Sequence, residues 1–256
     1  MGQANGRKGR PREAARGVGS NGRPKRARKA LLVAVEGIDG AGKTTLLALL
    51  ADGLSSRGWK VGRWKEPSDS RLGQEARRIS GASPAAAALL FTLDRGASSP
   101  DLQALRARSD VVLSDRSYFS TLAYQGSALG EREREALERF QASVAQRPDL
   151  VLWLAISPAV ALGRVARRGL LRSPLERRTV LERTARAYAR YAREERSRFV
   201  RLDARQDPER VATRALEAVL SRLPPSSRGP ASSGGRSSAP LPSRGGARRA
   251  KGRARL

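Results

Sequence analysis

The chain has 256 residues, 39% of them hydrophobic, enough for one sizeable buried core, and a single domain is the simpler division. It contains no cysteine and no histidine, which excludes a disulfide framework, thiolate zinc sites, the usual transition-metal ligands and hydrolysis through a histidine base. No apolar run approaches the ~20 residues of a membrane span, and the N-terminus lacks the apolar stretch of a secretory signal, so a cytoplasmic protein is the default expectation.

The formal charge of +27 is unevenly spread. Residues 1–30 hold ten Lys/Arg against Glu13 alone, a net +9, and residues 224–256 hold eight against no acid, a net +8, which leaves +10 for the stretch between. Both ends are rich in Gly, Ser, Pro and Ala and poor in large apolar side chains, the composition of a chain that cannot offset its ordering entropy. Two basic disordered tails are therefore expected around a core of residues 31–223, and clustered arginines of this kind could contact nucleic acid without sequence preference.

Within the core the first apolar run, Leu31 to Glu36, reads as a strand and leads into Gly37-Ile38-Asp39-Gly40-Ala41-Gly42-Lys43-Thr44. This is a complete G-x-x-x-x-G-K-T loop followed by a helical run, Thr45 to Leu54. Glycines let the backbone amides curl towards a phosphate, and the helix adds its positive end. Gly37, Ile38, Asp39, Gly40, Ala41, Gly42, Lys43, Thr44 and Thr45 are accordingly the candidate ATP-binding residues, with Lys43 reaching the β/γ-phosphates and the Thr44 hydroxyl on Mg²⁺. Further strands are expected at Trp59 to Lys65, Asp110 to Ser114, Leu150 to Ile156 and Phe199 to Asp203. Helices between them start with a capping residue and proline, at Ser83-Pro84, Ser157-Pro158, Ser173-Pro174 and Asp207-Pro208. The alternation predicts an α/β P-loop fold of three layers, a five-stranded parallel sheet with helices on both faces and ligands at the carboxyl ends of the strands. Asp115 lies at the tip of the third strand, where the second Mg²⁺-linked carboxylate of such enzymes sits.

The run VEGIDGAGKTT at Val35 to Thr45 closely resembles the opening of thymidylate kinases, and the later segments keep the family's order. Glu66-Pro67-Ser68-Asp69-Ser70, Leu89-Leu90-Phe91-Thr92-Leu93-Asp94-Arg95 and Arg147-Pro148-Asp149-Leu150 are similar to family segments, and Ser114-Asp115-Arg116 through Ala123-Tyr124-Gln125-Gly126 is similar to the most characteristic one. The resemblance implies transfer of the ATP γ-phosphoryl group to dTMP with Mg²⁺, in a homodimer. It assigns Asp39, Glu66, Phe91, Arg95, Arg116, Thr121, Tyr124 and Gln125 to the monophosphate, with Asp39 contacting its sugar or Mg²⁺ through water. Spacing agrees in part. Phe91 and Arg95 are four apart on one helix face, a ring to stack on a base and a guanidinium for a phosphate.

Six arginines at 164, 167, 168, 172, 177 and 178 lie between two helical patterns and look like the family's lid. Since Ile38 to Ala41 holds no basic residue, the catalytic arginine is expected from the lid, with Arg168 and Arg172 the candidates beside Asp39, Lys43, Arg95 and Arg116. Glu176 reads equally as the end of a Ser173-Pro174-Leu175-Glu176 capping box. The sequence departs from the family at Ala155, where many members have aspartate, at Thr121 for asparagine, and at Lys65 for arginine. Two other readings stand beside the first: a deoxynucleoside kinase, with Glu66 as base towards a sugar hydroxyl, and a nucleic-acid-binding protein with a degenerate kinase core.

Overall fold

The computed structural model describes residues 29–167 and 174–224. Five strands, β1 (Leu31–Glu36), β2 (Val61–Lys65), β3 (Val111–Asp115), β4 (Leu150–Ala155) and β5 (Phe199–Asp203), form one parallel sheet in the order β2-β3-β1-β4-β5. The expected strands are all present. β2 starts two residues later than its apolar run because Trp59 is still in the turn, where its amide bonds Leu54 O at 3.2 Å. β3 runs one residue further, to Asp115, which pairs with Val35 of β1 and Lys65 of β2.

Among the described residues eight helices fill the connections: α1 (Lys43–Ser55), α2 (Arg71–Ile79), α3 (Pro84–Ala107), α4 (Tyr118–Tyr124), α5 (Glu131–Val144), α6 (Pro158–Arg167), α7 (Arg178–Glu194) and α8 (Pro208–Leu220). Their starts are set by local chemistry. Ser83 accepts from the Ala86 amide, Asp207 from Glu209 and Ser70 from Gly73, which satisfies amides that have no partner inside the helix. The helix expected from Ser173-Pro174 differs: residues 174–176 form a single 3₁₀ turn and α7 begins at Arg178. Ser173 lies outside the described residues.

α1 packs beside α8 on one side of the sheet, while α3, α4, α5 and α7 contact one another on the other. Covered on both faces, β1, β3 and β4 are almost wholly buried, which explains why they read as continuous apolar runs and not as alternating ones. Leu46, Leu50 and Leu54 repeat every four residues along α1 and enter the same core as Val33, Val35, Leu152 and Leu154. On the opposite side the Phe119 ring stacks on Tyr118 and meets Phe199 edge-on, with centroids 4.9 Å apart. At the foot of the sheet the Asp149 carboxylate accepts from the Leu32 amide at 2.8 Å and from Arg106 at 2.7 Å. The Arg-Pro-Asp-Leu run thus fastens the start of β4 to β1.

The chain goes from β1 to β2 and β3 on one side, then crosses to β4 and β5 on the other. This reversal opens a crevice at the carboxyl end of β1, where the phosphate loop lies. Leu152 is fully buried in β4, between β1 and β5. Leu152→Ala is expected to cost about 2–5 kcal/mol of stability, read as a lower urea midpoint with an unchanged slope.

Candidate active site

The loop between β1 and α1 takes its shape from three glycines with positive φ, Gly37, Gly40 and Gly42, the first two of them also too closely packed for a side chain. Gly37 has φ 145° and Gly40 has φ 84°. A Cβ on Gly37 would lie 2.8 Å from Leu154 O, and one on Gly40 would meet Ala161 O at 2.5 Å. The loop backbone is therefore pressed against β4 and α6. Ile38 is 2% exposed and packs into the core, so only its backbone is available to a ligand. Lys43 Nζ donates to Gly37 O at 3.0 Å and Ile38 O at 3.2 Å, and lies 3.4 Å from Asp39 Oδ1.

Arg116 is the first residue beyond β3, and its backbone is left-handed, with φ 72°. Its amide is tied to Val35 O at 3.1 Å and its carbonyl accepts from Ser114 Oγ at 2.5 Å. The guanidinium reaches across to the Asp39 carboxylate and lies 5.3 Å from the Tyr124 ring centre. Burial alone would raise the Asp39 carboxyl, but Arg116 and Lys43 outweigh it and bring it from the ordinary 3.8 down to about 2. Burial and the nearby Arg116 charge lower the Lys43 amine to about 8, against the opposing pull of Asp39 and Asp115.

All eight residues expected around the monophosphate, Asp39, Glu66, Phe91, Arg95, Arg116, Thr121, Tyr124 and Gln125, line one cleft of about 170 Å³. Two of them point differently from expectation. The Tyr124 hydroxyl accepts from the Asp39 amide at 2.9 Å and so holds the phosphate loop. The Thr121 hydroxyl accepts from Arg95 at 3.2 Å. Arg95 is 7% exposed and donates also to Glu66 at 2.8 Å and to Gln141 at 2.7 Å. Gln141, fully buried on α5, has no signal in the sequence, because its partners Thr92 and Arg95 lie 49 and 46 residues away.

A second opening is lined by Asp39, Gly40, Gly42, Lys43, Thr44, Thr45, Asp115, Arg116 and Glu176. It shares Asp39 and Arg116 with the first cleft, so the two meet at that pair. Beyond the loop, Ala41 and Thr45 face a larger cavity of about 380 Å³ completed by Arg164, Arg167, Ala204, Gln206 and Pro208. The last three follow β5 and were missed in the sequence, although the carboxyl end of a strand in a parallel sheet is where a ligand contact belongs. Arg164 donates to Ala204 O at 2.9 Å. Of the six expected lid arginines, 164 and 167 lie in the last turn of α6, 177 is the N-cap of α7 and 178 its first residue, while Arg168 and Arg172 lie outside the described residues.

Among the described residues no group of three acidic or other metal-ligating side chains is close enough to form a metal cage. A Mg²⁺ bound mainly through water and ligand phosphates needs fewer protein groups. Asp115 Oδ1 is buried without a hydrogen-bond partner, and it shares its opening with the exposed Thr44. These two residues fit such an ion.

A phosphate-binding loop at the switch point of a five-stranded parallel sheet, joined to a second cleft lined by buried arginine, defines a P-loop α/β protein that takes nucleotides. The family profile described as thymidylate kinase matches residues 35–215. The chain is 38% identical over 196 residues to a probable thymidylate kinase of Archaeoglobus fulgidus, covering 75% of this chain and 96% of that one. It is 37% identical over 205 residues to a thymidylate kinase of Burkholderia thailandensis (75% and 97%), and 34% over 200 residues to one from a Synechococcus species (76% and 96%). The chain belongs to the thymidylate kinase family.

The lowered Asp39 carboxyl carries a stability consequence. Its ion pairs contribute fully above pH ~4, and the contribution is lost as pH falls towards 2. Urea midpoints measured at pH 4.5 and 2.5 should therefore fall less in Asp39→Asn than in the parent.

Proposed function

We propose that the protein transfers the γ-phosphoryl group of ATP to the phosphate of dTMP, giving dTDP and ADP. The observation that carries this reading is the state of the acceptor cleft's carboxylates. Glu66 is ion-paired to Arg95, and Asp39, brought down to about 2, is too weak a base to take a proton from a sugar hydroxyl. An acceptor phosphate is already ionised and needs no base. It needs cations, which Arg95 and Arg116 supply.

In this mechanism the loop amides and Lys43 bind the β/γ-phosphates, and the cavity at Gln206 and Pro208 receives the adenosine. Phe91 covers the acceptor base, Gln125 reaches its edge, and Arg95 grips its phosphate. Arg116, at the junction of the clefts, faces both the entering and the transferred phosphate. Asp39 keeps that guanidinium in place. Thr44 and Asp115 would hold Mg²⁺, which when bound neutralises charge on the ATP phosphates. A lid arginine, 168 or 172, would complete the charge around the transferring group.

Leu72, Leu89 and Leu93 are 37%, 56% and 53% exposed on the adjoining helices α2 and α3. This apolar surface supports a symmetric dimer. The net charges of +9 and +8 at residues 1–30 and 224–256 support a salt-sensitive nucleic-acid contact. No helix among the described residues is long and apolar enough to cross a membrane, and dependence on ATP fits a cytoplasmic setting.

Three measurements test this reading. With ATP and Mg²⁺, dTMP should be turned over faster than dUMP, UMP, CMP or AMP, and thymidine not at all; phosphorylation of thymidine without dTMP would overturn the proposal. In the free enzyme, kcat/KM for ATP should fall as pH rises through about 8, where Lys43 loses its charge, and Lys43→Arg should abolish that limb. Sedimentation should give a dimer for the parent and a monomer for the double variant Leu89→Glu, Leu93→Glu.

A further inference from the structure

Glu36 closes β1 immediately before the phosphate loop and is 0% exposed. None of the proposed binding and transfer steps uses it. A carboxylate taken wholly out of water is costly, and a buried ionic group can often be exchanged for apolar residues without loss of stability. Its presence here calls for a reason other than stability.

Three hydroxyls converge on it. Ser117 Oγ donates to Oε1 at 2.7 Å, while Ser120 Oγ and the Tyr188 hydroxyl donate to Oε2 at 2.6 and 2.8 Å. Burial pushes the Glu36 carboxyl up, and the three hydroxyls together with the Arg116 charge oppose that push. The donors come from three places that must agree for the acceptor cleft to exist. Ser117 is the residue after Arg116 and caps α4, accepting from the Phe119 amide at 3.3 Å. Ser120, one turn into α4, accepts from Arg116 Nη1 at 3.3 Å. Tyr188 belongs to α7, the helix that follows the expected lid.

Arg116 needs such support. Its left-handed backbone is an uncommon conformation for a non-glycine residue. Its guanidinium is held on one side by Asp39 and on the other by Ser120. Ser120 cannot donate to Arg116, so the hydroxyl proton must go elsewhere: of the two acceptors in reach, Glu36 Oε2 at 2.6 Å is nearer and charged, and the Tyr188 hydroxyl lies at 3.0 Å. With that proton fixed, the Ser120 oxygen turns its lone pair to the guanidinium.

The geometry points to Glu36 as a positioning residue for Arg116, setting both the turn that carries it and the hydroxyl that orients its guanidinium. The inference rests on the proposed role of Arg116 at the acceptor phosphate. Glu36 also ties α7 to that turn, so the strand under the phosphate loop, the acceptor clamp and the helix beyond the lid share one anchor.

The test is steady-state kinetics on the full chain with dTMP and ATP varied separately, beside thermal unfolding. Glu36→Gln keeps the volume and removes the charge. It should raise the KM for dTMP about tenfold or more, the effect of losing hydrogen bonds to a charged acceptor, with the KM for ATP changed less than twofold. Ser120→Ala removes the relay to Arg116 together with one of the three donors to Glu36 and the contact with the Tyr188 hydroxyl at 3.0 Å, and should raise the KM for dTMP roughly threefold, whatever fall in unfolding temperature accompanies it. If either folded variant keeps the parent's KM for dTMP and shows only a lower unfolding temperature, Glu36 is a structural anchor and the inference is wrong. Should Glu36→Gln not fold, Ser120→Ala decides alone. A parent that does not phosphorylate dTMP would instead sink the proposed function, and the two failures are thus separate.

Discussion

The site depends on one ion pair, between Asp39 in the phosphate loop and Arg116 beyond β3. Parallel register sets it up: Val35 pairs with Asp115, and the Arg116 amide continues the ladder onto Val35 O. The residues that leave β1 and β3 therefore emerge side by side. With Lys43 added, two cations face the Asp39 carboxylate at the junction of the two clefts, where two anionic phosphates must be brought together. A half-buried pair with side chains 22% and 27% exposed is less screened than a surface one. It also holds the arginine in place before any ligand arrives, which is where electrostatic catalysis gains most.

Around that pair the polar groups are organised as linked chains. Arg95 is shared by Glu66, Thr121 and Gln141, and Gln141 donates onward to Thr92. Asp94, the neighbour of Arg95, accepts from the Ser68 amide at 2.8 Å and from Ser70 Oγ at 2.6 Å, pinning the segment after β2 over the cleft. One helix, α3, thereby supplies the Phe91 ring, the Arg95 guanidinium and the clasp for the facing loop. On the other wall Glu36 accepts from Ser117 and Ser120 of the turn and helix after β3 and from Tyr188 of α7. Such buried networks are useful only when fully satisfied, and most members here have their partners.

What could be read from the sequence was what is local. The phosphate loop, the strand before it and the helix after it are contiguous, so eight residues carried the whole signal. The caps at Ser83 and Asp207 were equally visible, because each satisfies an amide two or three residues away. The family resemblance grouped eight residues that do line one cleft, but it did not give their orientation. Tyr124 turned out to hold the Asp39 amide, and Thr121 to hold Arg95, since those contacts span 85 and 26 residues. Glu36 read as the last residue of a strand, and Gln141 as ordinary helix. Their burial arises only when α4, α5 and α7 close over the sheet. The start of α7 was misjudged for a related reason: proline after serine marks a turn onset, and here the turn stops after three residues.

Asp39 and Arg116 are ion-paired at the meeting point of the two clefts, and the proposed chemistry stands or falls with that pairing. A double-mutant cycle on kcat/KM for dTMP, with Asp39→Ala, Arg116→Ala and the double variant, measures this directly. If the pair acts as a unit, the double variant will be little worse than Arg116→Ala alone, a coupling of at least about 1 kcal/mol. If the two losses multiply, the residues work independently and the account is contradicted.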